Sequence, residues 1–352
     1  MRRLTIASIV GARPQFIKAA PLVRAVTQTH ASVLVHTGQH YDANMSDVFF
    51  SELGLPAPDH HLGVGSGTHA AQTAAMMIAL EPVLAAERPD WVVVYGDTNS
   101  TLAGAVVAAK LNLRVAHVEA GLRSFNRDMP EEINRLVADS LSQRLFCPSA
   151  VAVENLRREG IVNGVCDVGD LMAEAVADAR ERSMTGSTVL QRLGVEEGGF
   201  VLATIHRAEN TDDARRLDEI LRALEASPDP VVFPLHPRTR QALNGRPARG
   251  GAVRFIDPVG YLDMVRLESA ARVIVTDSGG VQKEAYWLGT PCITARDETE
   301  WVETVETGWN VLTGADCSRI AAALRTFRPP ANRPPLYAAT SPSTRIVEML
   351  SN

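Results

Sequence analysis

Residues 91–112 read WVVVYGDTNSTLAGAVVAAKLN. WVVVY is a short unbroken apolar run rich in β-branched valine, which suits a strand covered on both faces. From Asn99 onward small and apolar residues recur at helical spacing, and Gly96-Asp97-Thr98 supplies the turn between the two. Asp97 therefore stands directly behind a buried strand, at the mouth of a helix. Strand, tight turn and helix form the repeating half of a βαβ unit, which implies a parallel sheet.

The same unit recurs on either side. LTIASIV (4–10), ASVLVHTG (31–38), RVAHVEA (114–120) and RLFCPS (144–149) are apolar runs separated by amphipathic or alanine-rich stretches. After CDVGD (166–170) and LMAEAVADARERS (171–183), the segments MTGST and EEGG loosen the pattern. A second series follows: FVLATIHR (200–207), VVFPLHP (231–237), AVRFIDPVG (252–260), RVIVTDSGG (272–280) and PCITARD (291–297). The expected fold is α/β, with two doubly wound Rossmann-like domains, residues 1–170 and 171–339, and a ligand cleft between them. RPPANRPP (328–335) reads as a linker, after which a terminal helix over 340–352 is expected to pack back on the first domain.

Composition narrows the function. At 352 residues the chain exceeds one ordinary core. Its 35 basic and 41 acidic residues, net charge −6, give no broad positive field for nucleic acid. The four cysteines, Cys147, Cys166, Cys292 and Cys317, have neither zinc-site spacing nor disulfide density, which fits a reducing cytoplasm. MRRLTIASIVGARPQF imitates a signal peptide only briefly, because Arg13-Pro14 follow a seven-residue apolar run, and no window is long enough for a membrane helix.

Ligands of doubly wound sheets bind beyond the carboxyl ends of the strands, so residues just behind each run are the candidates. These are Arg13 and Lys18 after the first, Gln39 and His40 after the second, and Asp97 after the third. Glu119, Arg123, Glu131 and Arg135 follow the fourth. The second half adds His206, Arg207, His236 and the stretch DSGGVQKEA, with Ser278, Gly279, Gly280 and Glu284. That stretch follows a strand and opens a helix, so its glycines let backbone N–H groups approach a phosphate; a tight turn needing positive φ is the plainer alternative. Glu284, one turn in, is placed to accept two ribose hydroxyls or to be a solvated helix carboxylate. Asp97, Glu119 and Glu131 make an acid/base layout, or else cap and stabilise helix N-termini. GARPQF lacks the glycine spacing of a dinucleotide fingerprint, and neither His206 nor His236 has metal-ligand companions, so no cofactor and no metal is expected.

Nine blocks in order, GARPQFIKAAPL, TGQHYD, YGDTNSTLAG, HVEAGLRS, MPEEINR, TIHRAEN, FPLHPRT, DSGGVQKEA and RDETEWVE, span nearly the whole chain. Together they resemble the non-hydrolysing UDP-N-acetylglucosamine 2-epimerase family, which shares the GT-B fold of one large glycosyltransferase class. The resemblance implies a homodimeric isomerase acting on a UDP-sugar. It would invert C2 by eliminating UDP to a 2-acetamidoglucal and adding UDP back. By the same resemblance Asp97, Glu119 and Glu131 match catalytic carboxylates, and His206 matches a histidine near the phosphates. Arg13, Lys18, Arg135 and His236 match diphosphate or nucleotide positions, Ser278, Gly279, Gly280 and Glu284 the UDP site, and Gln39 and His40 a loop near the sugar.

The sequence departs from many bacterial members at Ala208, where they carry arginine, and in QHYDAN, positions that resemble part of an allosteric site. DETEWVE resembles a subgroup that includes epimerases of UDP-2,3-diacetamido-glucuronate. That sugar and a hydrolysing 2-epimerase are in-family alternatives. A GT-B glycosyltransferase would keep the UDP cradle yet have little use for three acids, and a sensor without turnover would have none.

Overall fold

The computed structural model describes residues 2–39, 50–243, 251–336 and 341–352. The chain divides into two compact units, Met1–Ala175 with Tyr337–Asn352, and Val176–Leu336. The division falls inside the helix Leu171–Gly186.

The first unit holds a parallel sheet of β1 (Thr5–Val10), β2 (Ala31–His36), β3 (His60–His61), β4 (Trp91–Tyr95), β5 (Val115–Val118), β6 (Arg144–Cys147) and β7 (Val165–Asp167). Their order is β3-β2-β1-β4-β5-β6-β7, with Ile9 beside Val94 and Val94 beside His117. Every residue of β4 is buried, as its continuous apolar run requires between two helical layers. One layer closes the core through Met76, Leu80 and Leu84 of the helix His69–Glu87 and Ala103, Val107 and Ala108 of the helix Asn99–Lys110. The terminal helix Pro342–Ser351 buries Ile346 and Leu350, and the Trp91 indole donates to the Leu350 carbonyl at 3.0 Å.

The second unit repeats the plan with β8 (Val201–Thr204), β9 (Val231–Pro234), β10 (Val253–Ile256), β11 (Val273–Thr276), β12 (Cys292–Thr294) and β13 (Asn310–Leu312). The order is β10-β9-β8-β11-β12-β13, again all parallel. The segment read as a linker is fastened to this unit. The Trp309 indole donates to Asn332 O at 3.2 Å, the Tyr286 hydroxyl to Pro334 O at 2.5 Å, and Arg333 to Tyr286 O at 2.6 Å.

In both sheets the strand order reverses direction once, between β1 and β4 and between β8 and β11. Chain connections leave to opposite sides at such a switch point, which opens a crevice beyond the strand ends. The candidate residues cluster at these two places.

Candidate active site

At the first switch point the buried Gln15 wires two strand ends together. Its Oε1 accepts from the amides of Gly11 and Ala12 at 2.8 and 3.1 Å, and its Nε2 donates to Tyr95 O at 2.8 Å. Gly96 and Asp97 follow directly. Gly96 has φ +61°, and a Cβ there would stand 3.1 Å from Glu119 Oε2 and 3.6 Å from Lys18 Nζ. A bare glycine backbone is therefore the floor beneath a Lys18–Glu119 ion pair. Both side chains of that pair are largely buried, at 11% exposed. Glu119 itself sits at φ +70°, a left-handed conformation costing a non-glycine residue roughly 1–2 kcal/mol.

Asp97 accepts from Arg135 Nε and Nη2 through a single oxygen, at 3.0 and 2.6 Å, and its backbone carbonyl accepts from Asn134 Nδ2 at 2.8 Å. Arg135 also reaches Glu132 Oε2 at 2.8 Å. Burial opposes ionisation of Glu132, yet bonds from Ser124, Arg135 and the Phe125 amide hold it below the usual carboxylate range. Glu131 is exposed in the first turn of the helix Pro130–Leu141, and its carboxylate makes no hydrogen bond among the described residues. Gln39 Oε1 accepts from Ser100 N and Oγ at 3.1 and 2.7 Å, and Arg13 is the exposed first residue of its helix. His40 lies outside the described residues. Capping does not explain Asp97 or Glu119: Thr98 is the N-cap residue after β4, and Glu119 is engaged by Lys18.

Below this surface lies a group that the strand-end rule passes over. His117, fully buried on β5, places Nδ1 2.6 Å from Asp139 Oδ1 and Nε2 2.7 Å from Gly96 O. Asp139 Oδ2 is 2.7 Å from Arg123 Nη1, and Arg123 forks onto both oxygens of Glu159 at 2.7 Å each. Burial disfavours charge on the His117 ring, but Asp139 and the Gly96 carbonyl outweigh it and push its pKa up. Burial likewise opposes the Asp139 carboxylate, while His117 and Arg123 hold it low.

At the second switch point Asp277, wholly buried, gathers the end of β8. It accepts from the amides of His206 and Arg207 at 3.0 Å and from Asn210 Nδ2 at 3.0 Å. The His206 and His236 rings stand 5.0 Å apart, and His236 caps the helix Pro237–Ala242 by accepting from Arg238 N at 3.2 Å. Ser278 caps the helix Gly279–Leu288. Neither Gly279 nor Gly280 has positive φ, so the tight-turn explanation fails. A Cβ at Gly279 would lie 2.5 Å from Glu300 Oε1 and 3.1 Å from Trp301 Nε1, so these two side chains approach its backbone closely; Gly280 is exposed, and a Cβ there would meet nothing nearer than 3.8 Å. Glu284 is buried, not a solvated carboxylate. Glu300 bonds Arg296 at 2.7 Å; burial opposes its charge, and its own backbone amide and Arg296 hold its pKa down.

The sequence profile described as UDP-N-acetylglucosamine 2-epimerase matches residues 24–351. The chain belongs to this family. A UDP-N-acetylglucosamine 2-epimerase homolog of Methanococcus maripaludis is 46% identical, covering 99% of this chain and 100% of the relative. The UDP-2,3-diacetamido-2,3-dideoxy-D-glucuronate 2-epimerase of Pseudomonas aeruginosa is 47% identical, covering 99% of both. The crystal structure of the Methanocaldococcus jannaschii UDP-GlcNAc 2-epimerase, in complex with UDP-GlcNAc and UDP, superposes with TM-score 0.87 at 41% identity and 99% coverage of each chain. The two doubly wound, GT-B-type domains expected from the sequence are thus the architecture of an epimerase family.

Proposed function

We propose that the protein interconverts UDP-N-acetylglucosamine and UDP-N-acetylmannosamine by inversion at C2. The observation that carries this reading is a pair of carboxylates on adjacent strand ends, Glu119 against Lys18 and Asp97 against Arg135, each held beside a cation. The C2 proton of such a sugar is not flanked by a carbonyl. It becomes acidic as the bond from C1 to the UDP oxygen breaks and positive charge builds at C1. One carboxylate takes that proton, the electron pair forms the C1–C2 double bond, and UDP leaves with the bonding electrons, giving 2-acetamidoglucal. Return of UDP to C1, with protonation of C2 on the other face, restores the double bond to single bonds and inverts the centre. Two faces need more than one proton-handling group, and Asp97, Glu119 and Glu131 are the carboxylates available for it.

In this reading His206 neutralises the departing diphosphate, with His236, Arg13, Lys18 and Arg135 as further contacts. Ser278 and the backbone at Gly279 and Gly280 cradle phosphate at a helix N-terminus, and Glu284 takes the ribose hydroxyls. Gln39 and His40 belong to the sugar side. Incubation with UDP-N-acetylglucosamine, followed by anion-exchange chromatography, tests the reading. An equilibrium mixture of two UDP-sugars supports it, free sugar plus UDP marks a hydrolysing enzyme, and an unchanged substrate opposes it.

A second substrate, UDP-2,3-diacetamido-glucuronate, is favoured by the Pseudomonas aeruginosa relative and by Glu300-Trp301 in the DETEWVE block. We further infer a cytoplasmic homodimer. The helix His69–Glu87 supports the dimer, because it exposes Ala74, Ala75, Ala85 and Ala86 together with Ile78, itself 73% exposed. Ile78→Glu is expected to halve the mass seen by light scattering. The four cysteines are free, as a reducing compartment requires, and no helix among the described residues is long and apolar enough to cross a membrane.

A further inference from the structure

We propose that His117 and Asp139 form a buried positioning pair that sets the two turns carrying Asp97 and Glu119. The inference rests on the proposed proton-transfer role of those carboxylates and goes beyond it, because neither member of the pair stands at a strand end. Four bonds define the device. His117 Nε2 donates to the carbonyl of Gly96, at 2.7 Å, which fixes the peptide leading into Asp97. Asp139 Oδ1 holds His117 Nδ1 at 2.6 Å. Asp139 Oδ2 accepts from the amide of Gly121 at 3.2 Å, two residues beyond Glu119, and pairs with Arg123 at 2.7 Å. The turn after β4 and the turn after β5 therefore share one anchor.

Both turns need one. Gly96, Glu119 and Gly121 all have positive φ, at +61°, +70° and +78°, and only Glu119 among them carries a side chain that resists it. A strained residue keeps its conformation when its surroundings over-determine it. The amides of Glu119 and Ala120 meet the Phe146 carbonyl at 3.0 and 3.1 Å, Gly96 N meets Val118 O at 3.0 Å, and Asn155 Nδ2 holds Gly121 O at 3.0 Å. The buried pair completes this set from below.

Its protonation follows from the partners. A carbonyl oxygen only accepts, so Nε2 carries a hydrogen. Asp139 is faced by the Arg123 guanidinium and the Gly121 amide, both donors, so it is held as the anion and Nδ1 also donates. His117 is then an imidazolium, facing Asp139 on one side and Gly96 on the other, with Glu119 the other nearby charge that favours its protonated form. A buried cation close behind Glu119 also favours the charged carboxylate that a proton-abstracting group needs.

The test uses the full-length protein with His117→Gln and Asp139→Asn, both near-isosteric and uncharged. Four quantities are read: UDP binding sites per chain by calorimetry, the per-site rate and the KM for exchange of the C2 hydrogen of UDP-N-acetylglucosamine in D2O, and the protonation of the His117 ring nitrogens by NMR. We expect full UDP stoichiometry, KM within about threefold, and per-site exchange lowered about 10- to 100-fold, as for other groups that orient a reacting residue. Both ring nitrogens of the wild-type His117 should be protonated at neutral pH. A purely structural role would lower the number of binding sites and leave the per-site rate unchanged, which overturns the proposal, as does a neutral His117 ring. Wild-type protein that exchanges no C2 hydrogen would remove the proton-transfer reading itself, a separate outcome.

Discussion

Arg135 donates from Nε and Nη2 to the same oxygen of Asp97, at 3.0 and 2.6 Å, so the other carboxylate oxygen accepts no hydrogen bond among the described residues. One oxygen is anchored and one is available. That is the arrangement a positioned base requires, since its reacting oxygen must be held in place without being occupied. Asp97→Asn keeps the shape and removes the basicity. It is expected to lower kcat by about 10²- to 10⁴-fold while UDP affinity stays within a few-fold, measured by coupled turnover and calorimetry. Equal losses in both would assign Asp97 to binding.

Lys18 and Glu119 should show strong coupling. Removing one partner takes away the main compensation of the other charge, at a cost of about 3–5 kcal/mol at full burial, and less here because each side chain keeps 11% of its surface and His117 also lies near Glu119. Lys18→Met and Glu119→Gln are each expected to lower stability by about 2 kcal/mol, and the double variant by clearly less than the sum. Urea unfolding of the four proteins measures the coupling, and additive losses would mean the pair is screened.

Two adjacent glycines separate packing from ligand approach. Gly280→Ala places its Cβ 3.8 Å from the nearest atom, within a helix, so stability should hold or rise by about 0.5–1 kcal/mol. UDP affinity should nevertheless fall about tenfold, since the added methyl occupies the surface assigned to the phosphate. Gly279→Ala makes the flexible Glu300 carboxylate swing aside and Trp301 give slightly, so it should cost little stability and still reduce UDP affinity. Unaltered UDP affinity in Gly280→Ala would remove the cradle from the account.

His36 predicts an acid-sensitive first unit. Its ring is buried, stacks on Phe16 at 5.0 Å and on His61 at 4.6 Å, and among the described residues neither ring nitrogen has a hydrogen-bond partner of good geometry. Burial, reinforced by His61, pushes its pKa from 6.5 down to about 4. Between those values the unfolded chain binds a proton that the folded chain refuses. The stabilisation is therefore complete above about pH 6.5 and is lost as pH falls toward 4, by about 3 kcal/mol in total. His117, raised instead, acts in the opposite sense on the alkaline side, and Asp139 and Glu132, lowered, act below the ordinary carboxylate range. His36→Phe should flatten the urea midpoint between pH 6.5 and 4, and an unchanged slope would exclude His36 as its source.

The fold was legible because WVVVY and its counterparts are apolar without alternation, a pattern only a strand covered on both faces needs. Short or polar edge strands such as β3 and β13 lack that signal. Asp97 and Glu119 were legible from position alone, immediately behind strands. His117 was not, although HVEAGLRS contains it: its partner Asp139 lies 22 residues away on a helix, and pairing across such a gap is a property of packing. Asp277 is similar, since its work is to accept amides from His206 and Arg207, some 70 residues earlier. For Gly279 and Gly280 the sequence offered a phosphate approach or a turn needing positive φ; neither has positive φ, and Gly279 has a close side-chain approach while Gly280 faces open space.

Proton NMR of UDP-N-acetylglucosamine incubated with the protein in D2O, with UDP-2,3-diacetamido-glucuronate in a parallel tube, tests C2 inversion by elimination and re-addition most directly. UDP-N-acetylmannosamine carrying deuterium at C2 is the predicted product, since elimination and re-addition must exchange that hydrogen with solvent. Deuterium only in the parallel tube would keep the mechanism and move the substrate to the uronate. Epimer formed without deuterium, or no exchange in either tube, would contradict it.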